Sequence, residues 1–265
     1  MLRLNLIDKN FDGQASVCPG KVPKLVQWDR DCGSHAPVVL TDWAIGSALP
    51  DVPGQFGWLL ESPLAKAGAY ARTKLAEAEP RLEAIFTSEK ALVHANPSKY
   101  RYAPVGGIWI EKPGVREKTK LVSMIASMKT DTPMQRGRVV LAAQLAGAVD
   151  VFGRGRSREL ARVEDALDDY MFSFAIENAA VPGYWTEKLL NCFATGTIPI
   201  YSGAPDIGDY FDKRGILSAD EDAELDLTPS LYESMKPYMI ANFHEALRYE
   251  IPDDKLVADH FSDML

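Results

Sequence analysis

The residues with the clearest capacity for chemistry stand between Tyr170 and Tyr210. There the apolar run Met171–Ile176 ends in Glu177-Asn178, and a Pro182-Gly183 turn follows. A stretch of helical type then runs over Thr186–Ala194, beginning near Tyr184–Thr186, with Gly196 placed as its stop. In open parallel sheets, ligands sit at the carboxyl ends of strands. A helix beginning just beyond such a strand offers free N–H groups and a positive dipole end to an anion. Lys188 lies one turn from Tyr184, on the same helical face, and Glu187 is its neighbour. A lysine for phosphate, a carboxylate for two ribose hydroxyls and an aromatic for a base or sugar describe a nucleotide-sugar pocket. The same residue types also fit a surface helix with a Glu–Lys pair and a packed aromatic.

Elements able to position such a pocket recur along the chain. Leu2–Ile7, Lys24–Trp28, Val38–Leu40, Gln55–Leu60 and Ala84–Thr87 read as strands, and Leu64–Glu79 as a helix stopped at Pro80. Ala91–Asn96 reads as a turn or short helix, and Pro104-Val105-Gly106-Gly107 as a loop. Glu111–Lys120, charged and containing Pro113-Gly114, is the best linker candidate. Beyond it the alternation restarts. Leu121–Ala126, Val149–Phe152, Met171–Ile176 and Thr197–Tyr201 read as strands, and Gln135–Leu145, Arg158–Leu167 and Pro229–Tyr249 as helical segments. This is the pattern of two α/β halves, each Rossmann-like and facing a common cleft.

Composition narrows the function. The chain has 265 residues, 37 acidic and 29 basic, for a formal charge of −8. That balance disfavours non-specific nucleic-acid binding, which depends on surplus Lys and Arg. Apolar residues make up 46% and charged residues 25%, as in an ordinary globular protein. No run of 18 apolar residues marks a membrane span, and Asp8 comes too early for a signal peptide. Peripheral membrane association stays open. Cys18, Cys32 and Cys192 form no disulfide framework and suit a reducing, cytoplasmic location. The four histidines are scattered, so no metal site is expected.

The ordered motifs carry a resemblance. Phe174-x-Ile176-Glu177-Asn178, then Gly183-Tyr184-x-Thr186-Glu187-Lys188-Leu189, then Gly196-Thr197-Ile198-Pro199-Ile200-Tyr201-x-Gly203 resemble the donor-binding signature of glycosyltransferase family 10, the α-1,3-fucosyltransferases. Val149-Asp150-Val151-Phe152-Gly153-Arg154 is also similar to that family. The resemblance is strong over roughly Lys120–Phe211 and faint before it. It implies a GT-B fold, with an acceptor-binding domain over 1–115 and a GDP-sugar domain over 116–265. It also implies an inverting transfer of L-fucose from GDP-fucose to an oligosaccharide or polysaccharide acceptor.

Carried over residue by residue, the resemblance implies that Lys188 binds the diphosphate, Glu187 the ribose hydroxyls, and that Tyr184 and Asn178 lie in the donor site. Glu177 would contact fucose or orient its neighbours. An arginine following the strand Leu121–Ala126 should also reach the diphosphate. Arg136 and Arg138 both stand at suitable positions, and spacing to Val149 slightly favours Arg138. The family often has Ser-Asn where Ser127-Met128 stands here. Leu60-Glu61-Ser62-Pro63 resembles the family's segment whose Glu is the general base, which gives Glu61 that role. Glu61 equally suits a helix N-terminal acid favoured by the dipole.

Other signals are weaker. Asp29-Arg30-Asp31 has the form of a metal-binding DxD, yet the phosphate-binding set needs no metal, and no cofactor is required beyond a divalent ion that could stimulate. Gly153-Arg154-Gly155-Arg156 lacks the third glycine of a dinucleotide fingerprint. Trp28, Trp43, Trp58 and Trp109 are assigned to packing by default. Three rivals stand beside the fucosyltransferase reading: the same fold with another nucleotide sugar, a non-catalytic sugar-nucleotide- or glycan-binding homologue, and a domain that works only inside a larger complex.

Overall fold

Apolar side chains of Leu2–Ile7 form the first strand, β1, and the chain then lays parallel strands on both sides of it. This is a computed structural model, and it describes residues 1–9, 14–33, 35–49, 52–219 and 226–265. β2 (Val26–Asp29), β3 (Val38–Thr41), β4 (Gln55–Leu59), β5 (Ala84–Thr87) and β6 (Tyr100–Tyr102) complete a sheet of order β2-β1-β3-β4-β5-β6. Every pairing in it is parallel. α1 (Lys66–Ala78) and α2 (Lys90–Ala95) make the crossovers after β4 and β5.

The second sheet runs β11-β10-β9-β7-β8, again parallel throughout. Its strands are β7 (Lys120–Ile125), β8 (Asp150–Phe152), β9 (Tyr170–Ile176), β10 (Ile198–Ser202) and β11 (Leu217–Ser218). Its helices are α3 (Pro133–Gln144), α4 (Glu187–Thr195) and α5 (Pro229–Ala246). β9 reads as a continuous buried run because both of its faces are covered, by Ala175 in one apolar cluster and by Phe172 and Phe174 in another. The chain leaves β7 towards β8 and returns on β7's other side as β9. The order therefore reverses between β7 and β9, and this topological switch point is where α/β sheets hold ligands.

Residues 1–105, 181–184 and 251–265 form one compact unit, and 106–180 with 185–250 form the other. The division thus falls after Val105, upstream of the boundary expected after residue 115. The charged 111–120 segment is not a free linker. Gly114 N donates to Ala194 O and Arg116 N to Thr195 O, tying the segment to the end of α4. Val115 packs on Gly196, where an added Cβ would meet its Cγ1 at 2.7 Å. Gly196 closes α4 in the left-handed region, φ 79°, as its sequence position predicted. The last helix, α6 (Pro252–His260), returns to the first sheet and adds Leu256, Val257 and Phe261 to its core.

The helix expected over Arg158–Leu167 is instead a loop followed by a single 3-10 turn, Val163–Ala166. Arg158 is spent on an ion pair with Asp150 at 2.7 Å, which holds the loop to β8. Among the described residues, no helix is long and apolar enough to cross a membrane. Cys18, Cys32 and Cys192 are free thiols.

Candidate active site

The cavity at the β7/β9 switch point is built by the ends of three elements. β9 ends at Ile176 and hands its chain to Glu177, a carboxylate with 0% exposure. A buried carboxylate must be hydrogen-bonded or paired. Thr186 supplies two bonds, its N–H to Oε1 and its hydroxyl to Oε2, both 2.7 Å. Thr186 is also the N-cap of α4, its side-chain oxygen accepting from Lys188 N. The buried acid therefore fixes the start of the helix that carries Glu187 and Lys188.

The Lys188 ammonium has Glu187 Oε1 at 2.9 Å, Thr186 Oγ1 at 3.0 Å and Glu177 Oε2 at 3.3 Å. Burial acts against its charge, but the two carboxylates outweigh burial and hold the lysine above its ordinary range. Burial pushes the Glu177 carboxyl up despite Lys188. Burial also opposes the Glu187 charge, yet Lys188 wins and holds that carboxyl below its ordinary range. Gly203 makes room for this cluster, since a Cβ there would lie 2.3 Å from the Tyr201 hydroxyl and 2.6 Å from Glu177 Cγ.

α3 delivers the second cation. Its Thr132 and Gln135 form a reciprocal capping box at the N-terminus. The same two side chains reach Asn178: Thr132 Oγ1 donates to its carbonyl at 2.9 Å and Gln135 Nε2 to Oδ1 at 3.3 Å. Arg138, 5% exposed, donates Nη1 to Ile176 O at 3.1 Å and approaches Asn178 Oδ1 at 3.5 Å. Its Nε is buried without a partner. Burial lowers its proton affinity while Glu177 and Glu187 raise it.

The resulting cavity has a volume of about 190 Å³. Its polar lining includes Arg138, Glu187, Lys188 and Ser127, and its apolar lining includes Trp109, Leu160 and Val163. Arg138, Glu187 and Lys188 thus meet in one place, with Glu177 directly behind them. Asn178 braces Arg138 from outside the lining. Arg136, the other arginine, is exposed and donates to Thr130 O at 3.1 Å, away from the cavity. Tyr184 precedes the helix, which starts only at Glu187, so it shares no helical face with Lys188. It is buried and belongs to the first unit, as does Glu61. Asp29 of the DxD-like run pairs with Arg3 at 3.0 Å.

Sequence reasoning missed Trp109 as a lining residue. Ile108 and Ile110, both 0% exposed, anchor the segment while Trp109 stays partly exposed and lines the cavity. A buried–open–buried alternation was the available signal. Ser127 lines the cavity where the motif's Ser-Asn was expected, but Met128 is exposed and does not.

A doubly wound parallel sheet with two cations at its switch point defines a Rossmann-like ligand-binding unit, and two parallel α/β units in one chain fit the expected GT-B class. Residues 115–216 match the family model described as glycosyltransferase family 10 (fucosyltransferase) C-term. A 52-residue stretch is 40% identical to the alpha-(1,4)-fucosyltransferase of Arabidopsis thaliana, covering 20% of this chain and 13% of that one. A 44-residue stretch is 52% identical to alpha-(1,3)-fucosyltransferase B of Drosophila melanogaster, covering 17% and 10%. The matched stretches are therefore a small part of those relatives. A solved alpha1,3-fucosyltransferase aligns over 85% of this chain and 73% of its own, at TM-score 0.47 and 13% identity.

Proposed function

We propose that the chain is an inverting fucosyltransferase that moves L-fucose from GDP-fucose to a glycan hydroxyl. The observation that carries the reading is that Arg138 of α3 and Lys188 of the first turn of α4 line one cavity together with apolar side chains. In this reading the diphosphate sits against the two cations and the helix N-terminus. Glu187 takes the ribose hydroxyls, and guanine packs on Trp109, Leu160 and Val163. Tyr184 and Asn178 complete the donor site.

The reaction is a single displacement. The acceptor oxygen bonds to the anomeric carbon of fucose as the carbon–oxygen bond to the β-phosphate breaks. The bonding pair leaves on GDP, where Arg138 and Lys188 meet the growing charge. The acceptor proton passes to Glu61. Attack from the opposite face converts a β-linked donor into an α-linked product. The free thiols fit a cytoplasmic location, which is part of the same proposal.

Calorimetric titration with GDP, UDP and ADP, followed by GDP-fucose turnover on a glycan array, tests the reading. Preference for GDP and fucosylated product are expected. Equal affinity for the three nucleotides refutes the donor assignment, and tight GDP binding with no turnover on any acceptor or on water favours a non-catalytic binder.

A further inference from the structure

The turn that carries Glu61 is held by an acid that the displacement does not use. Asp42 stands immediately after β3, and Glu61 two residues after the neighbouring parallel strand β4. Asp42 reaches across the strand ends. Its Oδ1 accepts from Leu60 N at 3.2 Å and its Oδ2 from Glu61 N at 3.1 Å. The side chain is fully buried. From the far side α1 closes on the same turn, because a Cβ at Gly68 would lie 2.0 Å from Ser62 O and 2.8 Å from Glu61 O.

We propose that Asp42 is a positioning residue for Glu61, its carboxylate clamping consecutive backbone N–H groups so that the Glu61 side chain projects from a fixed turn. The proposal rests on Glu61 being the general base. Glu61 opposes the ionisation of Asp42 from the β4 side, and from α1 Arg72 Nη1 approaches Asp42 Oδ1 at 3.9 Å. Arg72 is largely engaged elsewhere, with Nε on Glu89 Oε1 at 3.0 Å and Nη1 on Gly68 O at 3.0 Å. Burial, and then Glu61, push the Asp42 carboxyl up to about 7. A protonated carboxyl offers one good acceptor where the clamp needs two. The clamp is therefore complete above neutrality and slackens below it.

Two measurements on the full chain test this. First, with 13C-labelled aspartate, NMR should show one Asp carboxyl titrating near neutral pH. That signal should vanish in Asp42→Asn, move to lower pH in Glu61→Gln and move to higher pH in Arg72→Met. An unmoved midpoint in Glu61→Gln overturns the pairing, whether or not the chain is a transferase. Second, kcat for GDP-fucose hydrolysis, with water in the acceptor's place, should rise through the same pH range. Asp42→Asn should remove that rise and lower kcat between roughly tenfold and a hundredfold, with KM nearly unchanged. A folded Asp42→Asn chain with the parent's kcat and pH profile refutes the proposal. If that variant does not fold, Arg72→Met decides, and a kinetic midpoint that stays in place refutes the proposal. Turnover surviving in Glu61→Gln instead removes Glu61 as the base and leaves the NMR result standing.

Discussion

Replacing Lys188 by alanine should cost GDP affinity twice, by two separable routes. The first is direct, because an ammonium-to-phosphate hydrogen bond is lost, worth about 1.5–3 kcal/mol. The second comes from what remains. In the parent, the cations Arg138 and Lys188 cancel the carboxylates Glu177 and Glu187. Without the lysine, one negative charge is left uncompensated beside the diphosphate. At a separation of roughly 7 Å and an effective dielectric of about 20, that repulsion is on the order of 2 kcal/mol. The two together come to about 4 kcal/mol, close to a thousandfold in Kd.

Calorimetry at fixed ionic strength measures the total, and a second variant separates the routes. In Lys188→Ala/Glu177→Gln, the amide still accepts from Thr186 N, as Oε1 does at 2.7 Å, but carries no charge. About half of the lost free energy should return. Lower pH should do the same in the single variant. The Glu177 carboxyl is already raised by burial, and losing Lys188 raises it further, so protonation removes the repulsion and GDP binds more tightly as pH falls. A folded Lys188→Ala protein with Kd within about threefold of the parent would remove Lys188 from the donor site. A double variant no better than the single one would sink the electrostatic half.

Four further outcomes are expected. Gly203→Ala pushes a methyl group into the Tyr201 hydroxyl and Glu177. It should destabilise by about 1–3 kcal/mol in urea denaturation and weaken GDP, and a neutral result contradicts the packing argument. Thr132→Ala removes the α3 cap and the bond to Asn178 O, costing about 1–2 kcal/mol of stability. GDP affinity should fall with it, because α3 carries Arg138. Trp109→Ala should weaken GDP by about 1–3 kcal/mol if a base stacks on the indole, with the same loss for guanosine alone. Asp42, pushed up to about 7 from an unfolded value near 3.9, binds its proton more tightly when folded. Its stabilising contribution is complete below about pH 4 and disappears as pH rises through 7, roughly 4 kcal/mol in all. Asp42→Asn should flatten that part of the stability–pH curve.

Local signals were legible where local physics decides. Gly196 ends α4, and the buried run Met171–Ile176 is a central strand, both as the residue types require. Spacing favoured Arg138 over Arg136 only slightly, because the two lie two positions apart on one helix and only packing tells the inward side chain from the outward one. Glu111–Lys120 has a linker's composition, yet its backbone amides find the orphan carbonyls of α4, a demand invisible without the helix in place. The destination of α6 escaped for a related reason. Leu256, Val257 and Phe261 are an amphipathic face with no nearby partner in sequence, and their partner is the first sheet. Asp42 escaped because an Asp after a strand reads as an ordinary turn acid. Its importance lies in two N–H groups contributed by the next strand in the sheet.

The cation cluster also bears on how a chain of net charge −8 would take up a diphosphate. At physiological ionic strength, charges beyond about 8 Å are largely screened, so the local set decides. That set is neutral by pairing, and the Lys188 ammonium already has three oxygen partners, Glu177, Glu187 and Thr186. An ammonium has three protons to donate. In the proposed reading, a phosphate oxygen must therefore replace one of those partners. Glu177 and Thr186 are fixed to each other by two 2.7 Å bonds, whereas Glu187 holds only the first turn of α4 and lies on the cavity wall. Glu187 is the partner that can leave, and release from Lys188 frees its carboxylate to accept hydroxyl protons. Binding of the diphosphate and recognition of the ribose would then be one exchange of partners, so Glu187→Gln should tighten the binding of inorganic diphosphate while weakening that of GDP. Parallel effects on the two ligands, measured in the same calorimeter, would show that no such exchange takes place.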